Sequence, residues 1–413
     1  MRCRRLCSAR VLVAAASAVM IAASTGIGAA PLSRIVDAAV AQADSAGMGA
    51  IVEAHPVAIP SIPTGAAFSA WQVRYVSQNT KGDPITTLAT VLRPVNRVEP
   101  PVLLAYDAII DAIAPQCFPS AQMQAGLGAQ ATTGVMEMDM IYLGRVLERG
   151  WTVVVPDYLG PDGEFAAGYV EGRTTLDAIR AAENFAPAGL SGAATPAAIF
   201  GYSGGARGSE FAAELAADYA PELNLRGVAA GGVTVDIAND ARAIDGSFSG
   251  PLAAAAALGI DRAYPELGIA SYFPDPGFRA NVGNLCLLQL ESSYPMLRLS
   301  DHTVTPGGVS LLDIPAIAAV LSSLRAGGYG TPSMPLYLYH AMNDETAPIG
   351  DTDGLVGDYC GRGVNVTYVK HPGVEHLTGN PAGSPAALDW IGQRLAGTPT
   401  GSTCGLPGQS LVG

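Results

Sequence analysis

The stretch Ala197-Ala198-Ile199-Phe200-Gly201-Tyr202-Ser203-Gly204-Gly205-Ala206 decides how the rest of the chain is read. Its first four residues form an apolar run of strand length, and an Ala-rich segment of helical character follows, from Ala206 to Tyr219. Between them lies the pattern G-x-S-x-G, which marks a sharp strand-to-helix turn with a serine at its apex. Such a turn is strained and leaves little room for side chains on either flank. It lifts the serine hydroxyl above the sheet edge and sets it before a helix N-terminus, whose N–H groups can receive a developing negative charge. With 49 glycines in 413 residues, the pattern would arise by chance roughly 0.3–0.4 times. The surrounding sequence must therefore carry the argument.

That surrounding sequence alternates. Trp71 to Ser77 and Ile85 to Leu92 flank Lys81-Gly82-Asp83-Pro84 and predict an antiparallel hairpin. Strand-like runs then recur at Val102 to Tyr106, Trp151 to Val155, Ala197 to Phe200, Gly227 to Ala230, Pro335 to Tyr339 and Asn365 to Val369. Helical stretches fall at Met138 to Glu148, Thr174 to Ala182, Ala206 to Ala217 and Pro385 to Leu395. A hairpin followed by such alternation predicts an α/β fold, with a mostly parallel central sheet and helices on both faces. One interval is far too long for an ordinary connection: about 100 residues separate Gly231 from Met334. Its helix-like runs (Leu252 to Leu258, Leu311 to Val320, Ser322 to Arg325) suggest a helical cap or lid over residues 231–334. A plain helical insertion without a gating role is the alternative.

Composition narrows the function classes. Charged residues make up 14% and hydrophobic ones 49%, which supports a sizeable core rather than disorder. Arg2, Arg4, Arg5 and Arg10 precede an apolar run from Val11 to Ala23, with small residues at Gly28-Ala29-Ala30. This is the layout of a cleavable export signal over residues 1–30, leaving 31–413 as the catalytic domain. An uncleaved membrane anchor is the other reading. Cleavage removes four arginines and no acid, so the formal charge of −13 becomes −17. A chain that acidic lacks the cationic footprint of a nucleic-acid binder. Cys117, Cys286, Cys360 and Cys404 remain after cleavage. An even number in an exported chain suggests two disulfides, with three possible pairings. No cysteine or histidine spacing suits a metal, and no cofactor is expected.

A serine nucleophile needs a base and a group to orient that base. Of the five histidines, His55 precedes the hairpin and His302 lies in the long interval. His340 ends a strand, where its ring can satisfy local backbone, and His371 precedes Pro372. His376 lies in Gly373-Val374-Glu375-His376-Leu377, read as a loop after the last strand, on the rim where the serine emerges. Asp344 follows the strand ending at His340, with Glu345, Asp351 and Asp353 as weaker candidates and helix capping as its bland role. The order Ser203, Asp344, His376 is that of the α/β-hydrolases. For the oxyanion, one donor is the backbone N–H of Gly204. The second falls somewhere in Asp107 to Ala114.

The chain resembles the secretory lipase family typified by Candida antarctica lipase A, a family with bacterial members. The resemblance runs from about Trp71 to Cys404. It rests on Ala105-Tyr106-Asp107 through Asp111, Cys117 with Pro119-Ser120, Val155-Pro156-Asp157-Tyr158-Leu159-Gly160-Pro161, Thr175 to Arg180, and the serine turn. It implies an α/β-hydrolase fold and a Ser203, Asp344, His376 triad. It also implies an oxyanion hole from Gly204 and Asp111, disulfides Cys117–Cys286 and Cys360–Cys404, and a cap over an acyl tunnel. The family's common Tyr-Gln is Tyr106-Asp107 here, so Asp107 competes with Asp111. The resulting expectation is a secreted serine ester hydrolase of lipase type, extracellular or retained at the cell envelope. It would act on acylglycerols or other lipid esters, touch a lipid interface transiently and need no obligate protein partner. A short-chain carboxylesterase, an acyltransferase and a non-catalytic lipid carrier are the alternatives. A peptidase is disfavoured because nothing defines a peptide subsite.

Overall fold

A computed structural model describes residues 47–60, 62–126 and 136–413. The expected signal segment lies outside them. Among the described residues, ten strands form one sheet in the order β1-β2-β3-β5-β4-β6-β7-β8-β9-β10. Three of them, β1 (Ile51–Pro56), β2 (Phe68–Gln78) and β3 (Pro84–Pro94), are successive antiparallel neighbours at one side. The sheet turns parallel after the antiparallel β3–β5 pair: β4 (Leu103–Asp107), β5 (Thr152–Pro156), β6 (Ala197–Tyr202), β7 (Leu225–Gly231), β8 (Leu336–Ala341), β9 (Val366–His371) and β10 (Leu411–Val412). Leu103–Asp107, Thr152–Pro156, Ala197–Tyr202 and Leu336–Ala341 are buried throughout. Fully buried parallel strands read as continuous apolar runs, which is why the sequence exposes them so clearly.

Helices α1 (Pro119–Ala125), α2 (Met136–Glu148), α3 (Tyr169–Asn184) and α4 (Gly204–Tyr219) fall among the first seven strands. One core joins α3 and α4 to the sheet through Leu176, Ile179, Phe211 and Ala212, with Val91, Ile199 and Leu338 beneath them. The opposite core joins α2 through Met140 and Leu143 to Leu104, Val153 and Phe200. Helices therefore cover both faces, and the molecule has the α/β-hydrolase architecture.

Between β7 and β8 the chain forms α5 (Ile237–Ile244), α6 (Pro251–Ala263), α7 (Pro276–Val282), α8 (Leu287–Ser293), α9 (Leu299–His302) and α10 (Pro315–Ser323), with short 3-10 turns among them. This connection has its own apolar cluster, which includes Ile244, Ala254, Phe273, Phe278 and Leu321. Ile110, Ile113, Tyr158 and Phe165, from the loops after β4 and β5, belong to the same cluster. The connection is thus packed onto the strand-end side of the sheet. Cys117, just past β4, is bonded to Cys286, the residue capping α8. Helix α11 (Ile349–Gly361) carries Cys360, which is bonded to Cys404 near the C-terminus.

Several elements differ from the sequence expectation. The strands β1 and β10, the helices α1 and α11 and most helices of the connection are added. The final helix, α12 (His376–Leu395), begins nine residues before the expected Pro385. His376 is consequently the first residue of a helix rather than part of a loop. Pro381 and Pro385 lie inside α12 and read as breakers, but Glu375 and Thr378 form a reciprocal cap that starts the helix earlier.

Candidate active site

The parallel strands deliver their carboxyl ends to one edge, and the candidate residues follow those ends. Ser203 stands between β6 and α4 at φ 55°, ψ −122°, a conformation that costs about 1–3 kcal/mol. It is maintained by backbone contact from both sides. A Cβ on Gly201 would lie 2.2 Å from the Gly205 carbonyl oxygen, and one on Gly205 would lie 2.0 Å from that of Asp107. The Ser203 N–H donates to the Gly231 carbonyl at 2.9 Å, and its own carbonyl accepts the Arg207 N–H at 3.1 Å.

Ser203 Oγ lies 2.7 Å from His376 Nε2, and His376 Nδ1 lies 2.7 Å from Asp344 Oδ2. The other Asp344 oxygen accepts the N–H groups of Thr346 (3.0 Å) and Ala347 (2.7 Å). Asp344 thus pins its own turn with one oxygen and the imidazole with the other. His376 is further held through its backbone: its N–H donates to Glu345 Oε2 at 3.1 Å, and its carbonyl accepts the Tyr202 hydroxyl at 2.5 Å. Burial alone would raise the Asp344 pKa, but hydrogen bonds from His340 and His376, reinforced by their charge, hold it well below the usual carboxylate range. Burial pushes the His376 pKa down. The hydrogen bond and charge of Asp344, with Asp111 and Glu345 adding to it, win and raise it above the ordinary imidazole value.

The structure separates the two competing aspartates. Asp107 is committed to the fold: its oxygens accept Thr175 Oγ1 and Ser209 Oγ, each at 2.9 Å. Asp111 has a left-handed φ of 45° and lines the space in front of Ser203. Its Oδ1 lies 2.0 Å from the ideal position of a Cβ on Gly204, so a side chain at 204 would displace the Asp111 carboxyl. Burial raises the Asp111 carboxyl to about 6 against the opposing charge of His376.

The remaining histidines are elsewhere. His55 is exposed on β1, and His302 is stacked on Phe278 with ring centroids 4.2 Å apart. His371 ends β9, edge-on to Tyr339. His340 has more to do than its sequence context suggested. Its Nε2–H donates to the Ala347 carbonyl at 2.8 Å and lies 3.2 Å from Asp344 Oδ2, while Nδ1 accepts from Thr352 Oγ1 at 3.1 Å. Among the weaker acids, Asp351 accepts from Asn239 and Asp353 from Tyr368 and Lys370.

Two cavities meet at Ser203. One, about 280 Å³, also touches His376, Asp111, Tyr202, Leu287 and the exposed Phe248 and Leu377; Glu291, Glu345 and Glu375 line its wall. The other, about 50 Å³, touches Ser203, Gly204 and Asp111 but not His376, and runs under α5 and α6. A larger cavity, about 530 Å³, lies within the connection around Asp245, Leu299 and Leu311 and reaches none of the triad candidates. Of these three, the two smaller cavities are the ones that open on Ser203. Among the described residues, no cluster of His, Cys, Asp or Glu suits a metal ion, and no helix is long and apolar enough to cross a membrane.

Asp240, Glu291 and Arg207 were not legible as site residues. Arg207, one turn past Ser203, is 1% exposed and lies 3.3 Å from the equally buried Glu171. Its Nη groups donate to the carbonyls of Thr234, Ala166 and Leu324, joining the serine helix to the connection. A lone arginine in an Ala-rich helix carries no sequence signal for this.

Comparison with known proteins converges on one group. The sequence profile of the secretory lipases matches residues 123–403. Lipase A of Arthroderma benhamiae is 32% identical over 342 residues, covering 81% of this chain and 72% of that protein. A Mycobacterium tuberculosis protein named as a probable inactive lipase is 30% identical over 346 residues, covering 80% and 74%. The crystal structure of Candida antarctica lipase A superposes with a TM-score of 0.82 at 28% identity, covering 90% of this chain and 87% of that one. The chain belongs to the secretory lipase family.

Proposed function

We propose that this protein is an exported serine ester hydrolase that cleaves acylglycerols or related carboxylic esters through an acyl-enzyme. The observation that carries the reading is the relay from Ser203 Oγ to His376 Nε2 and from His376 Nδ1 to Asp344 Oδ2, 2.7 Å at each step. These distances suit proton transfer from hydroxyl to imidazole and orientation of the imidazole by a carboxylate.

In this reading Ser203 Oγ attacks the ester carbonyl while its proton passes to His376 Nε2. Asp344 accepts the Nδ1–H, fixes the tautomer and stabilises the imidazolium. The tetrahedral oxyanion is met by the N–H of Gly204, at the N-terminus of α4, and by Asp111. The C–O bond to the alcohol breaks and His376 protonates the departing oxygen. Water, deprotonated by His376, then attacks the acyl-serine, releasing the acid and restoring the serine. Asp111 and His376 influence each other's protonation. The Asp111 carboxylate makes the imidazole more basic, whereas a proton on Asp111 would give the oxyanion a side-chain donor.

Export over a cleaved 1–30 segment agrees with the family and with two disulfides, which persist in oxidising compartments. Residues 231–334 act as the cap over the serine, and the exposed Phe248 and Leu377 at the cavity rim meet the lipid.

The relative named as inactive motivates one rival reading, an idle lipid carrier. A serine-directed phosphonate should label the wild type but not Ser203→Ala. Esters from acetate to long-chain triglycerides should be hydrolysed only with Ser203 present. Equal labelling of both forms, or stoichiometric fatty-acid binding without alcohol release, would sink the proposal. Alcohol-dependent ester exchange outrunning hydrolysis would identify an acyltransferase.

A further inference from the structure

The 50 Å³ cavity beside Ser203 has an unexpected wall. Helix α5 buries Ile237, Asp240, Ala241 and Ile244, a stripe at the spacing of one helix face. All four line this cavity. Three are apolar; the fourth is an aspartate in the middle of the stripe.

Asp240 is 7% exposed, and among the described residues neither of its carboxyl oxygens has a hydrogen-bond partner. The other polar groups nearby are occupied. Asp236 caps α5, Asn239 donates to Asp351, and the Arg207 Nη groups reach backbone carbonyls. Burial drives the Asp240 pKa well above the carboxylate range, opposed by Arg207 and supported by Asp351, Asp236 and Asp344. Burial thus favours the neutral form, which offers one O–H donor and one carbonyl acceptor. Thr234 and Thr346 line the same space, while Phe165, Leu252 and Ala256 make its apolar side.

The position of His376 tells which half of an ester this cavity receives. The imidazole must protonate the departing alcohol, so the alcohol lies in the larger cavity, which His376 lines. The acyl group then enters the smaller one, which His376 does not line. At about 50 Å³ it admits only the first few non-hydrogen atoms of an acyl chain, on the scale at which roughly 150 Å³ holds a benzene. An all-hydrocarbon chain there would leave the carboxyl of Asp240 unmatched in a dry space, whereas a hydroxyl on the chain could both donate to it and accept from it.

We propose that this cavity receives the acyl part of short hydroxyacyl esters, and that Asp240 selects them by hydrogen bonding the acyl hydroxyl. This rests on the reading of Ser203 as the nucleophile.

The test compares kcat/KM for ethyl butyrate with that for ethyl 2- and 3-hydroxybutyrate, using acid release as the readout. The enzymes are the full chain as wild type, Asp240→Leu and Asp240→Asn. The wild type should favour at least one hydroxy ester over butyrate by about tenfold or more. Asp240→Leu should lose that preference and gain on butyrate. Asp240→Asn, nearly isosteric and still able to donate and accept, should keep part of it and guards against a folding defect in the leucine variant. No preference in the wild type would mean that the cavity holds water only and would overturn the proposal, as would the same ratio in wild type and Asp240→Leu. The absence of Ser203-dependent hydrolysis of any ester would instead overturn the nucleophile assignment on which it stands.

Discussion

On one side of Ser203 the backbone is held by approaches so close that no side chain fits. Gly201 and Gly205 each meet a backbone carbonyl oxygen within 2.2 Å of where a Cβ would stand. On the other side, α5 and α6 meet the serine through Ile244, Leu252 and Ala253, side chains that many apolar residues could replace. The turn is specified by exclusion over five residues, whereas the connection is specified by packing summed over about a hundred. Chemistry that needs one atom in one place is lodged in the first kind of structure. In the proposed reading, selection among substrates is left to the second, where a single substitution alters volume or polarity without moving the nucleophile.

The largest effects should come from the rigid side. Ser203→Ala should lower kcat by roughly 10⁶-fold, the scale seen for other serine hydrolases, with folding intact by circular dichroism. Asp344→Asn should cost about 10⁴-fold in kcat, because an amide can no longer hold the Nδ1–H tautomer. A small loss for either would break the comparison, since the turn would then not be the seat of the chemistry.

The next two sharpen how the regions are joined. Cys117 and Cys286 are 169 residues apart, and closing so long a loop stabilises by about 2–5 kcal/mol. Replacing both with serine should lower the urea midpoint and expose the connection to proteolysis before the sheet. Arg207→Met leaves Glu171 buried without its partner and should cost about 3–5 kcal/mol by urea unfolding. If either change leaves the connection as protected as in wild type, the two regions are coupled by something else.

The smallest effect is a shift in pH. The Asp111 carboxylate helps raise the His376 pKa. The base must be neutral to act, so activity falls as pH drops through that raised value. Asp111→Asn removes the charge, lowers the His376 pKa and should move the acid limb of kcat/KM to lower pH, while its amide still offers a donor. An unmoved limb would show that Asp111 serves only through its backbone.

The same contrast explains what could be read in advance. Buried parallel strands such as Ala197–Tyr202 are continuous apolar runs, and the serine turn needs its glycines, so both were legible from local sequence. Asp344 and His376 could be found because strand ends in a parallel sheet share one edge. The early start of α12 was hidden by Pro381 and Pro385, since the cap at Glu375 depends on a side-chain geometry that no short motif announces. Asp240 and Arg207 were invisible for a different reason. Their neighbours are distant in sequence, and a charged residue on a helix reads as solvated until its surroundings are known.

The acids around the larger cavity bear on how a reaction there would end. An ester arrives without charge, and the acid it becomes is an anion at neutral pH. It would be formed beside a wall that carries Glu345 and Glu375 and, among the described residues, no lysine or arginine. Like charges repel, so the newly made anion has no favourable counter-ion to linger beside. The acid product would thus be expelled toward water instead of occupying the chamber that made it.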